Sequence, residues 1–141
     1  MAPQISIQPP ESITATLHFA AGLPGFPHLH DFVMAPWGPP TSPFSTVIAV
    51  DDPDVGFIVV SPFVFYPEYD FELDGGTAKR LGLVDSSMAH VVCIVTLQDR
   101  PEDATINLLG PIVVNTASGE SCQAVLPDGG YQARMPLARA A

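Results

Sequence analysis

Seven carboxylate side chains, and no Lys or Arg, lie between residues 51 and 74 of this chain of 141 residues. Some of them alternate with aromatic or apolar side chains in the stretch VVSPFVFYPEYDFEL, residues 59–73. Carboxylates at this density can serve as general acids and bases, coordinate a divalent cation, or attract a basic partner. The neighbouring residues decide among these chemistries.

Acid–base catalysis needs titratable groups gathered in a cleft, and the histidines are the obvious candidates. His28 and His30 form an H-x-H pair, which on a strand would place both imidazoles on one face and could begin a metal site. Apart from Asp31, no cysteine or acidic residue stands at ligand spacing beside them, so we interpret the pair as polar surface. His18 and His90 are interpreted as polar positions in half-buried strands.

Other chemical motifs are missing from the sequence. No G-x-S-x-G is present, and neither Cys93 nor Cys122 has a neighbouring base. The glycine-rich pieces GLPGFP and DGG lack the Lys-Ser/Thr step of a phosphate loop, and the acids of DDPD lack the Gly and Glu of an EF-hand. We therefore predict no enzymatic activity, no cofactor and no metal site.

The overall charge points to a protein partner instead. The 15 acidic and 5 basic residues give a net charge of −10, which repels phosphate backbones and disfavours direct nucleic-acid binding. An apolar fraction of 47% with 14% charged residues is typical of a folded protein. We see no export signal and no membrane-length apolar run, so we expect a soluble, cytoplasmic protein with free thiols.

Short β-type segments separated by Pro and Gly predict an all-β fold, a small antiparallel sandwich or barrel in one domain, residues 1–141. Residues 1–12 would form an irregular or edge segment. The only predicted helix is short, residues 75–83, with Thr77 as N-cap and Gly82 ending it. The predicted strands are 13–19, 31–37, 44–50, 55–60, 90–97 (the central strand), 106–116 (kinked at Gly110-Pro111, on an edge) and 121–126.

The stretch 68–73 also alternates as a strand would, with its acids on one face and Tyr69, Phe71 and Leu73 on the other. We assign Phe71 and Leu73 to the core. For Phe63, Phe65, Tyr66 and Tyr69, a core position and a place on a recognition surface are both open, since aromatic side chains beside a charged rim are typical of protein interfaces.

The sequence resembles the FliW family of flagellar assembly factors from about Leu17 to Leu137. The resemblance rests on an ordered set of pieces: GLPGF, DDPDVGFIVVSPFVFYPEYDFEL, LGL, IVTL, INLLGPIVVNT and CQAVLPDGGYQARMPL. It implies a small β-barrel-like domain with one short helix and a non-enzymatic regulator. FliW proteins bind the translational repressor CsrA, a small basic RNA-binding dimer, and also flagellin. In the partner switch this implies, free FliW captures CsrA so that flagellin is translated.

On this hypothesis, acidic side chains supply electrostatic attraction to CsrA and aromatic side chains supply an apolar anchor. The acids are Asp51, Asp52, Asp54, Glu68, Asp70 and Glu72, and the anchor residues are Phe63, Phe65 and Tyr66. For Asn107, Asn115 and Gln123 we predict hydrogen bonds within the fold. The alternative is a small-ligand or metal-binding β-barrel that uses the aromatics with His28 and His30 around its mouth.

Overall fold

The computed structural model describes residues 14–126 and 130–137. Its strands are β1 (Ala15–Phe19), β2 (Asp31–Pro36), β3 (Phe44–Ala49), β4 (Gly56–Val60), β5 (Ala89–Thr96), β6 (Thr105–Ile106), β7 (Ile112–Asn115), β8 (Glu120–Gln123) and β9 (Met135–Pro136). The helices are α1 (Pro62–Phe65) and α2 (Gly75–Leu81), with 3-10 turns at Ser86–Met88 and Pro101–Asp103. The predicted segment 1–12 lies outside the described residues.

The strands close into a barrel in the order β1-β2-β3-β4-β5-β7-β8, with β8 returning to β1. All of its pairs are antiparallel except β1 with β8, which run parallel through His18 opposite Glu120 and Phe19 opposite Ser121. The small β-barrel predicted from the sequence is therefore confirmed, with one parallel seam that strand alternation does not reveal. The predicted central strand, β5, pairs with β4, β6 and β7.

The barrel interior is filled by the inward side chains of its strands. Leu17 and Phe19 of β1 are fully buried, and the Phe19 ring meets Phe32 of β2 edge-on with centroids 5.3 Å apart. Val47 and Val59 complete this packing from β3 and β4. The alternation within β1 places Leu17 and Phe19 on the same inward face, because a pleated strand turns successive side chains to opposite faces.

A second apolar layer covers the outer face of β4 and β5. It is built by residues 61–73, here called the aromatic segment, together with residues 131–137. Outward side chains of the barrel, among them Val60, Cys93 and Val95, are buried beneath it. The aromatic segment therefore stabilises the fold by covering the outward side chains of β4 and β5, and its opposite side faces solvent.

The aromatic segment is not a strand, and the prediction of a strand over 68–73 is wrong. Pro62 occupies the first turn of α1, where its missing N–H costs nothing, and residues 69–74 are irregular. The predicted solvent face is nevertheless correct: Glu68, Asp70 and Glu72 are exposed, while the intervening Tyr69 is 3% exposed. Phe71 and Leu73, which we assigned to the core, are only half-buried.

Two smaller predictions also need correction. The N-cap of α2 is Asp74, not Thr77: the Asp74 carboxylate accepts hydrogen bonds from the Thr77 N–H and Thr77 Oγ1, both at 2.8 Å. Gly82 ends the helix in the left-handed region at φ 73°, as predicted. Pro111 is fully buried at the start of β7, which is paired on both sides, so the kink does not lie on an edge strand.

The polar residues assigned to the fold make the predicted internal bonds. Asn107 Oδ1 accepts from the N–H groups of Leu109 and Gly110, at 3.0 and 2.9 Å. Buried Asn115 donates to the carbonyl of Leu81 at 2.7 Å and so fastens α2 to β7. Gln123 Nε2 donates to the carbonyl of Gly110 at 2.9 Å. These side chains stabilise the Gly110-Pro111 kink and the attachment of α2.

Within the part of the chain that the structure describes, no helix has the length and apolar character needed to cross a membrane.

Candidate functional site

The predicted partner-binding acids fall into two groups. The turn acids lie in the β3–β4 hairpin, and the ribbon acids lie in the aromatic segment. Because β4 connects the hairpin turn to the aromatic segment, the groups lie at opposite ends of a five-residue strand, a span of roughly 17 Å. The turn acids are Asp51, Asp52 and Asp54; the ribbon acids are Glu68, Asp70 and Glu72.

The turn acids are shaped by the hairpin itself. Asp52 Oδ1 accepts a hydrogen bond from the Asp54 N–H at 3.3 Å, and the Asp52 carbonyl accepts one from Val55 at 2.8 Å. Asp51 and Asp54 are exposed, and Asp52 is half-buried. A tight acidic turn accounts for these residues structurally and also presents carboxylates to solvent at this end of the barrel.

The ribbon acids stand on a segment that is anchored from below by tyrosine hydroxyls. Tyr66 donates to the carbonyl of Pro136 at 2.5 Å, and Tyr69 donates to the carbonyl of Leu108 at 2.7 Å. From the other side, Tyr131 accepts from the Asp70 N–H at 3.1 Å. These contacts hold the backbone between Tyr66 and Asp70, so Glu68 and Asp70 project from a well-anchored support.

The predicted aromatic anchor is divided between core and surface. Tyr66 is only 5% exposed, so it has little area to offer a partner. Phe63 and Phe65 are half-buried: the Phe63 ring lies 5.9 Å from Tyr69, and the Phe65 ring lies 6.1 Å from Phe44. Between them, Val64 is 52% exposed. The apolar surface of α1 is thus centred on a valine that the sequence interpretation did not single out.

An open apolar groove lies between the aromatic segment, the residues after α2, and the start of β5. It has a volume of about 580 Å³. Its apolar lining includes Phe63, Phe71, Leu73, Leu83 and Val84, and its polar lining is Ser61, Asp85, Ser86 and His90. Sequence reasoning missed this apolar groove because its walls come from segments far apart in the chain.

The carboxylates beside the apolar groove are held ionised by local hydrogen bonds. Asp85 accepts from the N–H and the hydroxyl of Ser87, and these bonds lower its pKa. The two bonds from Thr77 lower the pKa of Asp74 in the same way. Exposed Glu72 lies between Phe71 and Leu73, which both line the groove. The groove therefore combines an apolar wall with a negatively charged rim.

His18 and His30 lie together where the end of β1 meets the start of β2, without the geometry of a metal site. His18 Nδ1 bonds Asp31 Oδ1 at 2.8 Å, which raises the pKa of His18. His30 Nδ1 donates to the carbonyl of Phe19 at 2.9 Å, and the His18 and His30 rings stack with centroids 6.1 Å apart. Across the described residues, no group of three or more His, Cys, Asp or Glu side chains is placed to hold a metal ion. His28 is exposed.

Comparison with known proteins gives a consistent result. The family model described as "FliW protein" matches residues 4–137. The chain belongs to the FliW family. A flagellar assembly factor FliW from Bacillus subtilis (strain 168) is 38% identical over 119 residues, 84% of this chain and 82% of that relative. One from an Exiguobacterium species (strain ATCC BAA-1283 / AT1b) is 36% identical over 134 residues, 95% of this chain and 88% of that relative.

A solved structure supports the same assignment. The crystal structure of a flagellar assembly factor FliW superimposes with a TM-score of 0.84 at 29% identity, covering 89% of this chain and 86% of the other. The family membership inferred from the motifs is therefore confirmed. A role in flagellar assembly follows at the level of the family.

Proposed function

We propose that this chain is a cytoplasmic regulator of flagellar assembly that binds the translational repressor CsrA and, alternatively, flagellin. Flagellin accumulating in the cell occupies the regulator and leaves CsrA free to repress flagellin translation. Export of flagellin releases the regulator, which then captures CsrA and relieves the repression. Action by binding alone requires no catalytic residue and no cofactor.

The observation that supports this proposal is the acidic surface raised on a rigid aromatic layer. The net charge of −10 attracts a basic protein over a long range and accelerates its encounter. The ribbon acids follow exposed Val64 and half-buried Phe63 along the same aromatic segment, so charged and apolar side chains are presented together, as at many protein interfaces. Such an arrangement suits a partner whose own surface evolved to hold RNA phosphates.

Two matched variants test which acidic group contacts CsrA. One variant replaces all the ribbon acids by their amides, and the other does the same for the turn acids. Both remove the same negative charge, so both reduce long-range attraction equally. We expect the ribbon variant to weaken CsrA binding more and to flatten its salt dependence, with the fold unchanged.

The measurement is a titration of purified CsrA at several salt concentrations, with circular dichroism as the check on folding. Equal losses in the two variants would mean that only net charge matters. A larger loss in the turn variant would move the contact to the opposite end of β4. Unchanged affinity at low salt in both variants would refute an acidic contact surface on this protein.

A further inference from the structure

The strongest feature not explained by the fold is the apolar groove. Val84 on its rim is 85% exposed, more than any other large apolar side chain that the structure describes. A side chain this exposed adds little to the core, so burial within the protein does not account for its apolar character. Val84 adjoins Leu83, a half-buried residue of the groove wall, so the exposed apolar area is continuous.

The polar groups of the groove do not form a convergent ligand site. A small-molecule pocket orients its ligand with a few precisely placed polar groups. Here the Asp85 carboxylate is already occupied by the N–H and hydroxyl of Ser87. Desolvation lowers the pKa of His90, which favours its neutral form. The remaining lining is mainly apolar, so the groove offers apolar contact surface rather than hydrogen bonds that would orient a small ligand.

The charged residues around the groove indicate which charge a polypeptide segment bound there would carry. Asp85 lines the groove, and exposed Glu72 and Asp74 flank its wall residue Leu73 in the chain. The Arg80 guanidinium donates to Thr77 Oγ1 at 3.1 Å and helps to lower the pKa of Asp74, so it offsets part of the charge at Asp74 and leaves Asp85 and Glu72 as the main acids of the rim. An apolar ridge flanked by Lys or Arg would match this rim, whereas an acidic or wholly apolar segment would not.

We propose that the apolar groove is the docking site for an amphipathic helix of a basic partner, whose apolar ridge enters the groove while its Lys or Arg side chains meet the acidic rim. The volume of about 580 Å³ accommodates several side chains, and apolar side chains at helical spacing form such a ridge. The inference deepens the proposed function, since it names the chemistry of the segment that would bind.

The test uses the full chain and a synthetic amphipathic helix of Leu and Lys as the probe, with a scrambled peptide of the same composition as its control. Val84→Arg places bulk and positive charge in the groove. Val125→Arg makes the same change at a residue that is 71% exposed and does not line the groove. We expect Val84→Arg to weaken binding of the probe by at least about ten-fold. Val125→Arg should change it by less than about two-fold, the effect of charge alone.

Equal effects of the two variants, or equal binding of the scrambled peptide, would overturn the proposal. The proposal would also be overturned if the wild type does not bind the probe but self-associates, and Val84→Arg abolishes the self-association. The groove would then be assigned to a second copy of this chain. Parallel titrations with CsrA and flagellin separate the two proposals. If Val84→Arg weakens binding of the probe but the chain binds neither CsrA nor flagellin, only the proposed function is refuted. If the chain binds CsrA or flagellin but Val84→Arg does not weaken binding of the probe, only the docking site is refuted.

Discussion

The attachment of the aromatic segment to the barrel depends most directly on the hydroxyl of Tyr69. This residue is 3% exposed, and its hydroxyl donates to the carbonyl of Leu108 at 2.7 Å. Tyr69→Phe removes this bond but keeps the ring, whose neighbours include Tyr131 at 4.7 Å and Phe71 at 5.5 Å between centroids.

Tyr69→Phe should destabilise the protein because it leaves the carbonyl of Leu108 without the hydrogen bond from the Tyr69 hydroxyl. Such a loss is worth about 1–3 kcal/mol, so the free energy of unfolding of Tyr69→Phe should fall by that amount. For a chain of this length each kcal/mol lowers Tm by roughly 3–4 °C. Tyr131→Phe is the matched control, since its hydroxyl bonds the N–H of exposed Asp70, and we expect it to cost about 0.5–1 kcal/mol.

Urea unfolding followed by the fluorescence of the single tryptophan, Trp37, measures both variants. The midpoint should fall while the slope m stays unchanged, because the fold and the buried area are retained. An unchanged midpoint for Tyr69→Phe, or a larger loss for Tyr131→Phe, would refute the conclusion that Tyr69 anchors the segment.

Three further predictions concern the rest of the barrel. The bond with Asp31 raises the pKa of His18, so its contribution to stability is present below the unfolded pKa and is lost as pH rises through the folded pKa. Thermal unfolding should therefore give the wild type a higher Tm than Asp31→Asn below about pH 6, but not above about pH 8. A difference in Tm that does not change with pH would contradict this. Gly22→Ala should lower the free energy of unfolding by about 1–3 kcal/mol or more, because the new Cβ would lie 2.6 Å from the Cα of Pro27. Gly25→Ala, also at positive φ but in open space, should lower it less in the same denaturant titration. Equal losses in the two variants would rule out the clash. Burial raises the pKa of the Cys93 thiol to about 12, so a thiol reagent should modify Cys93 only after unfolding, whereas half-buried Cys122 can react earlier. Peptide mapping separates the two sites, and rapid labelling of Cys93 in the native protein would be the contrary result.

Much of the barrel could be predicted from local sequence because its strands carry their own signals. The β3–β4 hairpin pairs Phe44 with Val60 across the DDPD turn, close to the predicted strands 44–50 and 55–60. Each element has alternating side chains and a Pro or Gly boundary. The parallel pairing of β1 with β8 could not be predicted this way, because no local pattern links residues about a hundred positions apart.

The aromatic segment shows where local patterns fail. Its alternation of acids and aromatics correctly predicted which side chains face solvent, yet the backbone forms no ladder. Pro62 begins a helical turn instead, and tyrosine hydroxyls hold the remainder through contacts such as Asp70 with Tyr131, 61 positions away. An alternating pattern reports which side is buried, whereas hydrogen-bonded neighbours decide whether the backbone is a strand.

The candidate site was predictable only in its charge. The acidic character of residues 51–74 is visible in the sequence, but the separation of turn acids from ribbon acids depends on the course of β4. The burial of Tyr66 and the exposure of Val64 follow from the way α1 lies on the barrel. The apolar groove draws its walls from residues as distant as Ser61 and Val113, so it exists only in the folded chain.

The most direct test of the partner switch is a competition experiment with purified proteins. This chain is first bound to CsrA at moderate salt, and flagellin is then titrated into the complex. We predict that CsrA binds in a salt-sensitive manner and that flagellin releases it in proportion to its own binding. Failure of the wild-type chain to bind CsrA at low salt, or stable retention of CsrA under saturating flagellin, would contradict the switch.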